Sequence, residues 1–289
     1  MRQITVINRA SGRSYCFTGP IYETPTVWCG TGKDPQLGDL FVKILRYDRS
    51  TPEGQERQRI ARQEAQVMLR VSQCTDRVPK LYDHWDDRSA GSYVLVMQKM
   101  PGTDLRRWLK NRPAHKINDQ TVWLHSLLLR QTAQILQDIH KKIPGISHRD
   151  LKPENIMVWK DEQKHWQVGL VDFGTAALHY SVQVGTEGYQ APEQITLQDT
   201  IMGTGEAKDV FSLGIIWYEL LTLTPVDDLL YEFYPDYDNR RWESRPVFPP
   251  ELLATRNGKR YAALFEKMTD YDPSRRPTLR DVVNKLAAR

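Results

Sequence analysis

A two-lobed α+β fold, strand-rich and antiparallel at first and mostly helical afterwards, is predicted by three features of this chain. Short β-prone segments crowd its start, at residues 4–7, 14–18, 27–29 and 40–45, and clusters of Gly, Pro and Asp separate them. One amphipathic helix follows over residues 52–72, where Ile60, Val67, Met68 and Val71 stand among charged residues. Beyond Pro101-Gly102 the pattern becomes helical, the ordering expected of an α+β plan.

Strand character returns at residues 82–85 and 93–97, and the crossing from one lobe to the other falls near Gln98 to Gly102. Residues 1–98 are therefore expected to form the strand-rich lobe and residues 99–289 the helical one, together a single domain. In the second lobe, residues 122–143 have long helical periodicity. Lys141-Lys142 sit where cations suit a helix C-terminus, and Pro144-Gly145 stop the run. The most apolar stretch, 210–223, is interrupted by Ser212 and Glu219 and is too short to span a bilayer, so it is expected to be a buried core helix with no membrane span. A length of 289 residues suffices for a substantial core.

Composition narrows the function classes. With 40% hydrophobic and 26% charged residues and a formal net charge of +4, the chain is an ordinary globular sequence with no predicted nucleic-acid partner. The arginines between Arg46 and Arg70 alternate with acids and read as a solvated helix face. Cys16, Cys29 and Cys74 have no metal-ligand spacing, and an odd number suits a reducing compartment. The start, Met1-Arg2-Gln3-Ile4, lacks the apolar run of a secretory signal, so a cytoplasmic location is expected.

Two motifs carry the chemistry: His148-Arg149-Asp150-Leu151-Lys152-Pro153-Glu154-Asn155, and Asp172-Phe173-Gly174. Moving a phosphoryl group requires positioning and charge neutralisation more than covalent help. It calls for oxygen ligands that reach metal ions and one carboxylate facing the incoming hydroxyl. The eight-residue run and the later triplet resemble the catalytic segments of the protein kinase family, and the resemblance extends over nearly the whole chain. It implies a protein kinase-like fold, ATP and Mg2+ as cofactors, and a protein substrate. In that resemblance Asp150 accepts or orients the proton of the substrate hydroxyl, Lys152 offsets charge on the transferred group, and Asn155 and Asp172 hold magnesium. Gly174 gives the backbone freedom beside Asp172.

The same resemblance implies the nucleotide side. Lys43, closing Leu40-Phe41-Val42-Lys43, looks like the lysine aimed at the phosphates. Its expected partner is Glu64, which lies one turn from Ile60 and from Met68 on the predicted helix. Met97 looks like the residue behind the adenine, with Gln98, Lys99 and Met100 as the hinge whose backbone would hydrogen-bond it. Val27 stands where the family's second-strand valine is expected. Two departures stand out. Of the usual glycines only Gly19 is present, in Gly19-Pro20-Ile21-Tyr22-Glu23-Thr24-Pro25-Thr26, where proline removes an amide donor and Glu23 would repel a triphosphate. Phe41 replaces the family's alanine and is expected to narrow the adenine pocket.

On the substrate side, Gly185-Thr186-Glu187-Gly188-Tyr189-Gln190-Ala191-Pro192-Glu193 resembles the end of a kinase activation segment. Thr186 is expected to pair with Asp150. Lys152 with Thr186 is the serine/threonine kinase pattern, so a Ser/Thr acceptor is implied. Glu193 should find Arg276 as a buried pair, and Asp209 is expected at a helix start, bracing the catalytic run. Arg149 before Asp150 suggests phosphorylation control between Gly174 and Gly185, with Thr175, Tyr180 and Ser181 as the available hydroxyls. A segment this short is equally compatible with constitutive order. Residues 227–242 carry Asp227, Asp228, Tyr231, Phe233, Tyr234, Asp236, Tyr237 and Trp242, which read as a docking face for a basic partner or as a solvated loop. Two other functions compete with the active kinase: a pseudokinase scaffold, motivated by the glycine-poor loop, and a small-molecule phosphotransferase on a related fold.

Overall fold

The strand-prone segments pair into one antiparallel sheet. Its strands are β1 (Arg2–Asn8), β2 (Arg13–Glu23), β3 (Val27–Asp34), β4 (Gly38–Arg46), β5 (Leu81–Asp87) and β6 (Ser92–Gln98), in the order β1-β2-β3-β4-β6-β5. These come from a computed structural model that describes residues 2–111, 116–177, 185–195, 205–226, 235–236, 241–242 and 246–287. The chain divides into two units, Met1–Met100 and Pro101–Arg289.

In the first unit, period-two alternation sorts side chains to two faces. Leu40 and Val42 join Tyr15, Phe17, Trp28, Val94 and Val96 in one buried cluster, with Ile4, Val6, Tyr82 and Trp85 packed against it. The sheet curls far enough for its two edges to meet. Asn8 of β1 donates to both carboxylate oxygens of Asp83 in β5, at 3.0 and 3.2 Å, and Tyr15 donates to the same group at 3.0 Å. Burial, reinforced by Asp83, pushes the Tyr15 hydroxyl up to about 12. The opposite face carries Tyr93, Leu95 and Met97 and is covered by α1 (Pro52–Val71) through Ala61 and Ala65. Thr51 starts that helix by accepting from the Gly54 amide.

A tight fit around Trp28 fixes how β2 and β3 lie together. A methyl group at Gly30 would overlap the Trp28 ring and stand 2.8 Å from the Thr18 carbonyl, and one at Gly19 would meet the same ring at 2.9 Å. Gly30→Ala is therefore expected to destabilise the protein by about 1–3 kcal/mol, the usual cost of overpacking, read as a lowered denaturant midpoint with an unchanged slope.

The second unit opens with β7 (Thr103–Asp104) and α2 (Leu105–Lys110), capped by the Asp104 side chain. Then come α3 (Asp119–Lys142), β8 (Ile156–Lys160), β9 (Trp166–Leu170), the short α4 (Pro192–Ile195) and α5 (Gly205–Thr222). β7, β8 and β9 form a three-stranded sheet, and β10 (Pro235–Asp236) pairs with β11 (Arg241–Trp242). After α6 (Pro250–Leu253) and α7 (Gly258–Met268), α8 (Leu279–Ala287) packs against α3. The apolar stretch expected to be a core helix is α5. Trp217 is fully buried there with its ring 5.1 Å from that of Tyr261. Among the described residues no helix is long and apolar enough to cross a membrane.

Candidate active site

Because β8 and β9 form a hairpin with Ile156 opposite Leu170, the residues just outside it are held together. Asn155 precedes β8, Asp172 lies two residues past β9, and the Val171 amide donates to the Asn155 carbonyl at 3.0 Å. Asn155 is buried and donates its Nδ2 to the Asp150 carbonyl at 2.8 Å, which ties the hairpin to the 148–155 run. Asp172 is exposed and has φ +62°, a left-handed conformation that costs an ordinary residue energy and recurs at functional sites. Arg149 is likewise at φ +65°. A carboxylate and an amide oxygen are hard donors of the type Mg2+ takes.

The Asp150 carboxylate is the meeting point of the run. Thr186 Oγ1 donates to Oδ1 at 2.7 Å, and Lys152 Nζ lies 3.0 Å from Oδ2 while donating to Thr186 Oγ1 at 2.6 Å. The structure thus brings Asp150, Lys152 and Thr186 into one closed triangle. Gly185 makes this approach feasible: at φ +110° it passes so close to Arg149 that a Cβ would stand 2.6 Å from the Arg149 carbonyl. Thr175 donates its hydroxyl to the His148 carbonyl at 2.7 Å, and the Phe173 ring, fully buried, rests 4.6 Å from that of His148.

Asp209 fastens the run from below. Its carboxylate accepts from Ser147 Oγ at 2.9 Å, from the His148 amide at 3.0 Å and from His140 Nε2 at 2.8 Å. Burial favours the neutral acid here, but the His140 bond and the charge and amide of His148 outweigh it and hold the carboxyl below its usual range. Asp209 does not start its helix. α5 is already helical at Gly205, so Asp209 lies in the second turn, where the helix dipole has faded and these donors stabilise the charge instead.

In the first unit, Lys43 Nζ donates to Glu64 Oε1 at 2.7 Å, with both side chains largely buried. Register sets the company of Lys43. Cys29 stands directly opposite it and Val27 opposite Leu45, so Val27, Cys29 and Lys43 share one face. Cys29 was not singled out by sequence, because the face depends on the β3–β4 register. Phe41 is opposite both Thr31 and Met97 and packs with Met97 and Leu81 on the α1 side of the sheet. Gly19 has a different environment from that expected of a phosphate loop, since its small size accommodates Trp28 on the other face. Glu23 is paired with Arg46 at 3.0 Å, and the same guanidinium holds the Thr24 carbonyl at 3.3 Å. At the hinge, the Gln98 amide donates to Lys80 and the Lys99 amide to Asp39. Met100 therefore keeps the one hinge N–H without a backbone partner among the described residues.

A buried network that sequence reasoning missed surrounds Arg106 of α2. Its guanidinium donates to Glu154 at 2.9 Å, Glu219 at 3.0 Å and the Tyr189 hydroxyl at 2.5 Å, and Tyr189 donates to Glu219 at 2.9 Å. Burial raises the Glu219 carboxyl above its usual range despite Arg106, and burial beside Glu219 raises the Tyr189 hydroxyl. Ser212, the other polar interruption of α5, donates to the Tyr189 carbonyl at 2.7 Å. The polar residues inside the apolar stretch were the available signal: buried polar groups need partners. Tyr180, Ser181 and residues 227–234 and 237–240 lie outside the described residues, as do the side chains of Asp236 and Trp242.

A family model for the protein kinase domain matches residues 38–286. The chain belongs to the protein kinase family. The match to the kinase domain begins at the first residue of β4, after the glycine-poor turn. Among similar proteins, the probable serine/threonine-protein kinase nek2 of Dictyostelium discoideum is 34% identical over 155 residues, covering 51% of this chain and 35% of that protein. The dual specificity protein kinase Ttk of Danio rerio is 32% identical over 167 residues, 54% of this chain and 16% of its own length. Serine/threonine-protein kinase D of Synechocystis is 28% identical over 233 residues, 76% of this chain and 40% of that protein. The kinase domain described here thus spans well under half the length of each of these three relatives.

Proposed function

We propose that the chain is an active serine/threonine protein kinase that transfers the γ-phosphoryl group of ATP to a hydroxyl of a protein substrate. The observation that carries this reading is the closed triangle of Asp150, Lys152 and Thr186, joined through Asn155 to the hairpin that ends at Asp172. In it Asp150 orients the acceptor hydroxyl and takes its proton, Lys152 offsets charge on the transferred group, and Thr186 holds both in place. Asn155 and Asp172 would hold Mg2+, which when bound neutralises phosphate charge without proton transfer. Lys43, fixed by Glu64, serves the nucleotide phosphates. Val27 and Met97 line the adenine, and Gln98 and Met100 belong to its hinge, with the Met100 amide as the donor. Gly19, which lies inside β2 opposite Arg2, is kept near the nucleotide by the family resemblance alone. A cytoplasmic setting completes the proposal, with Cys16, Cys29 and Cys74 in no disulfide among the described residues.

The second reading, a pseudokinase scaffold, draws support from the last part of β2, where Gly19 packs on Trp28 and Glu23 is tied to Arg46. Labelled ATP with Mg2+ separates the two. Transfer to the protein itself or to a generic basic protein, lost in Lys43→Ala, is expected. A folded wild-type protein that transfers nothing and shows no thermal shift with ATP and Mg2+ would establish the scaffold.

A further inference from the structure

Glu64 can serve Lys43 only while α1 keeps its place on the sheet, and a second attachment of that helix lies two residues away. Gln58 and Arg62, one helical turn apart, converge on the Asp86 carboxylate at the end of β5. Gln58 Nε2 donates to Oδ2 at 2.7 Å and Arg62 Nη2 to the same oxygen at 2.6 Å. The Tyr47 hydroxyl, just past β4, donates to Oδ1, and Gln58 also reaches that hydroxyl at 3.3 Å. Arg88 Nε stands 3.7 Å from Oδ2. The Asp86 side chain is 13% exposed and its charge-assisted bonds from Tyr47 and Gln58 are half-buried, while Arg62, 49% exposed, reaches the same carboxylate from the solvent side.

Asp86 thereby joins three elements: the end of β4, the helix that bears Glu64, and β5. Arg62 and Glu64 are separated by about 3 Å along the helix axis. A slide or rotation of α1 that draws Glu64 from Lys43 has to break the Asp86 bonds as well. We propose that Asp86 is a positioning residue that fixes Glu64 against Lys43, so that the chain holds α1 in its working position with its own side chains and needs no partner to do so. Its consequence for turnover rests on the kinase reading; its geometry does not. The ionisations agree with a lock that is closed at neutral pH. Burial raises the Asp86 carboxyl, but bonds from Tyr47, Arg62 and Gln58 outweigh this and hold it below its usual range, while burial and Asp86 push the Tyr47 hydroxyl up to about 12.

The test compares the full chain with Asp86→Ala and with the paired variant Gln58→Ala/Arg62→Ala, which leaves the sheet untouched. Three quantities are read: amide hydrogen exchange over residues 55–71, the acylation rate of Lys43 by a small activated ester, and the KM for ATP against kcat. Glu64→Gln supplies the acylation rate of a Lys43 without its carboxylate. Both test variants are expected to speed α1 exchange at least tenfold, to bring Lys43 acylation to the Glu64→Gln rate, and to raise the ATP KM several-fold with exchange in α3 unchanged. Acylation of Lys43 at the wild-type rate in the paired variant overturns the proposal, even if α1 exchanges faster, because the residue would then stabilise the helix without positioning Glu64. A wild-type protein without transfer activity would end the kinase reading and leave the acylation comparison to decide this one.

Discussion

Asparagine at position 150 is expected to leave a folded protein whose phosphate transfer is about 10²- to 10⁴-fold slower, the range general-base groups contribute. The substitution keeps the shape of the side chain and an oxygen that accepts from Thr186, so the 2.7 Å contact has a replacement. It removes the charge facing Lys152 at 3.0 Å and the site that would take the substrate proton. The Lys152 ammonium is 23% exposed and keeps its bond to Thr186 when the charge facing it is removed, so the cost to stability is small. The denaturant midpoint should therefore stay near wild type while kcat collapses. ATP affinity should also hold, because Lys43 and Glu64 are untouched. A loss in kcat and kcat/KM by the same factor would mark an interaction made only in the transition state. A rise in KM with kcat intact would instead assign Asp150 to ground-state binding and remove it from the chemistry.

What the sequence made legible follows from the range of each signal. Alternation and 3.6-residue periodicity are local, and the sheet strands, α1 and α3 appear at the segments they mark. The catalytic run is eight consecutive residues, so its members could be named together. Glu193 and Arg276 were paired across 83 residues only because a family resemblance supplied both ends. No such aid existed for Arg106, whose partners lie 48, 83 and 113 residues away, or for Asp86, which gathers Tyr47 from just past β4 and Gln58 and Arg62 from α1. Gly19 illustrates a different limit. A glycine among larger residues signals that something approaches closely, but the sequence does not say what. Here the neighbour is an indole on the far side of the sheet from Lys43. Glu23 looked like a repulsive charge because Arg46, 23 residues on, was not known to be beside it.

Arg276→Ala is expected to cost about 3–5 kcal/mol, the penalty for breaking a buried ion pair from one side. That is a large part of the roughly 5–15 kcal/mol that holds a domain folded. The guanidinium is fully buried and donates to both oxygens of Glu193, at 2.7 and 2.9 Å. It also satisfies the carbonyls of Asp270, Ala207 and Tyr271 at 2.7, 3.0 and 3.2 Å, and lies 5.0 Å above the Phe211 ring. Alanine removes both donors from one carboxylate and one donor from each of three carbonyls at once. Lysine restores the charge but not the planar fork, and should recover only part of the loss. Replacing both ends, Glu193→Leu with Arg276→Met, removes the stranded carboxylate, and the double variant should be more stable than Arg276→Ala alone. Denaturant midpoints of the three variants decide the matter. If the double variant is no better than Arg276→Ala, the bonds to the carbonyls carry the stability, and Glu193 is a secondary partner of an arginine whose main work is to anchor the loop at residues 270–276 to α5.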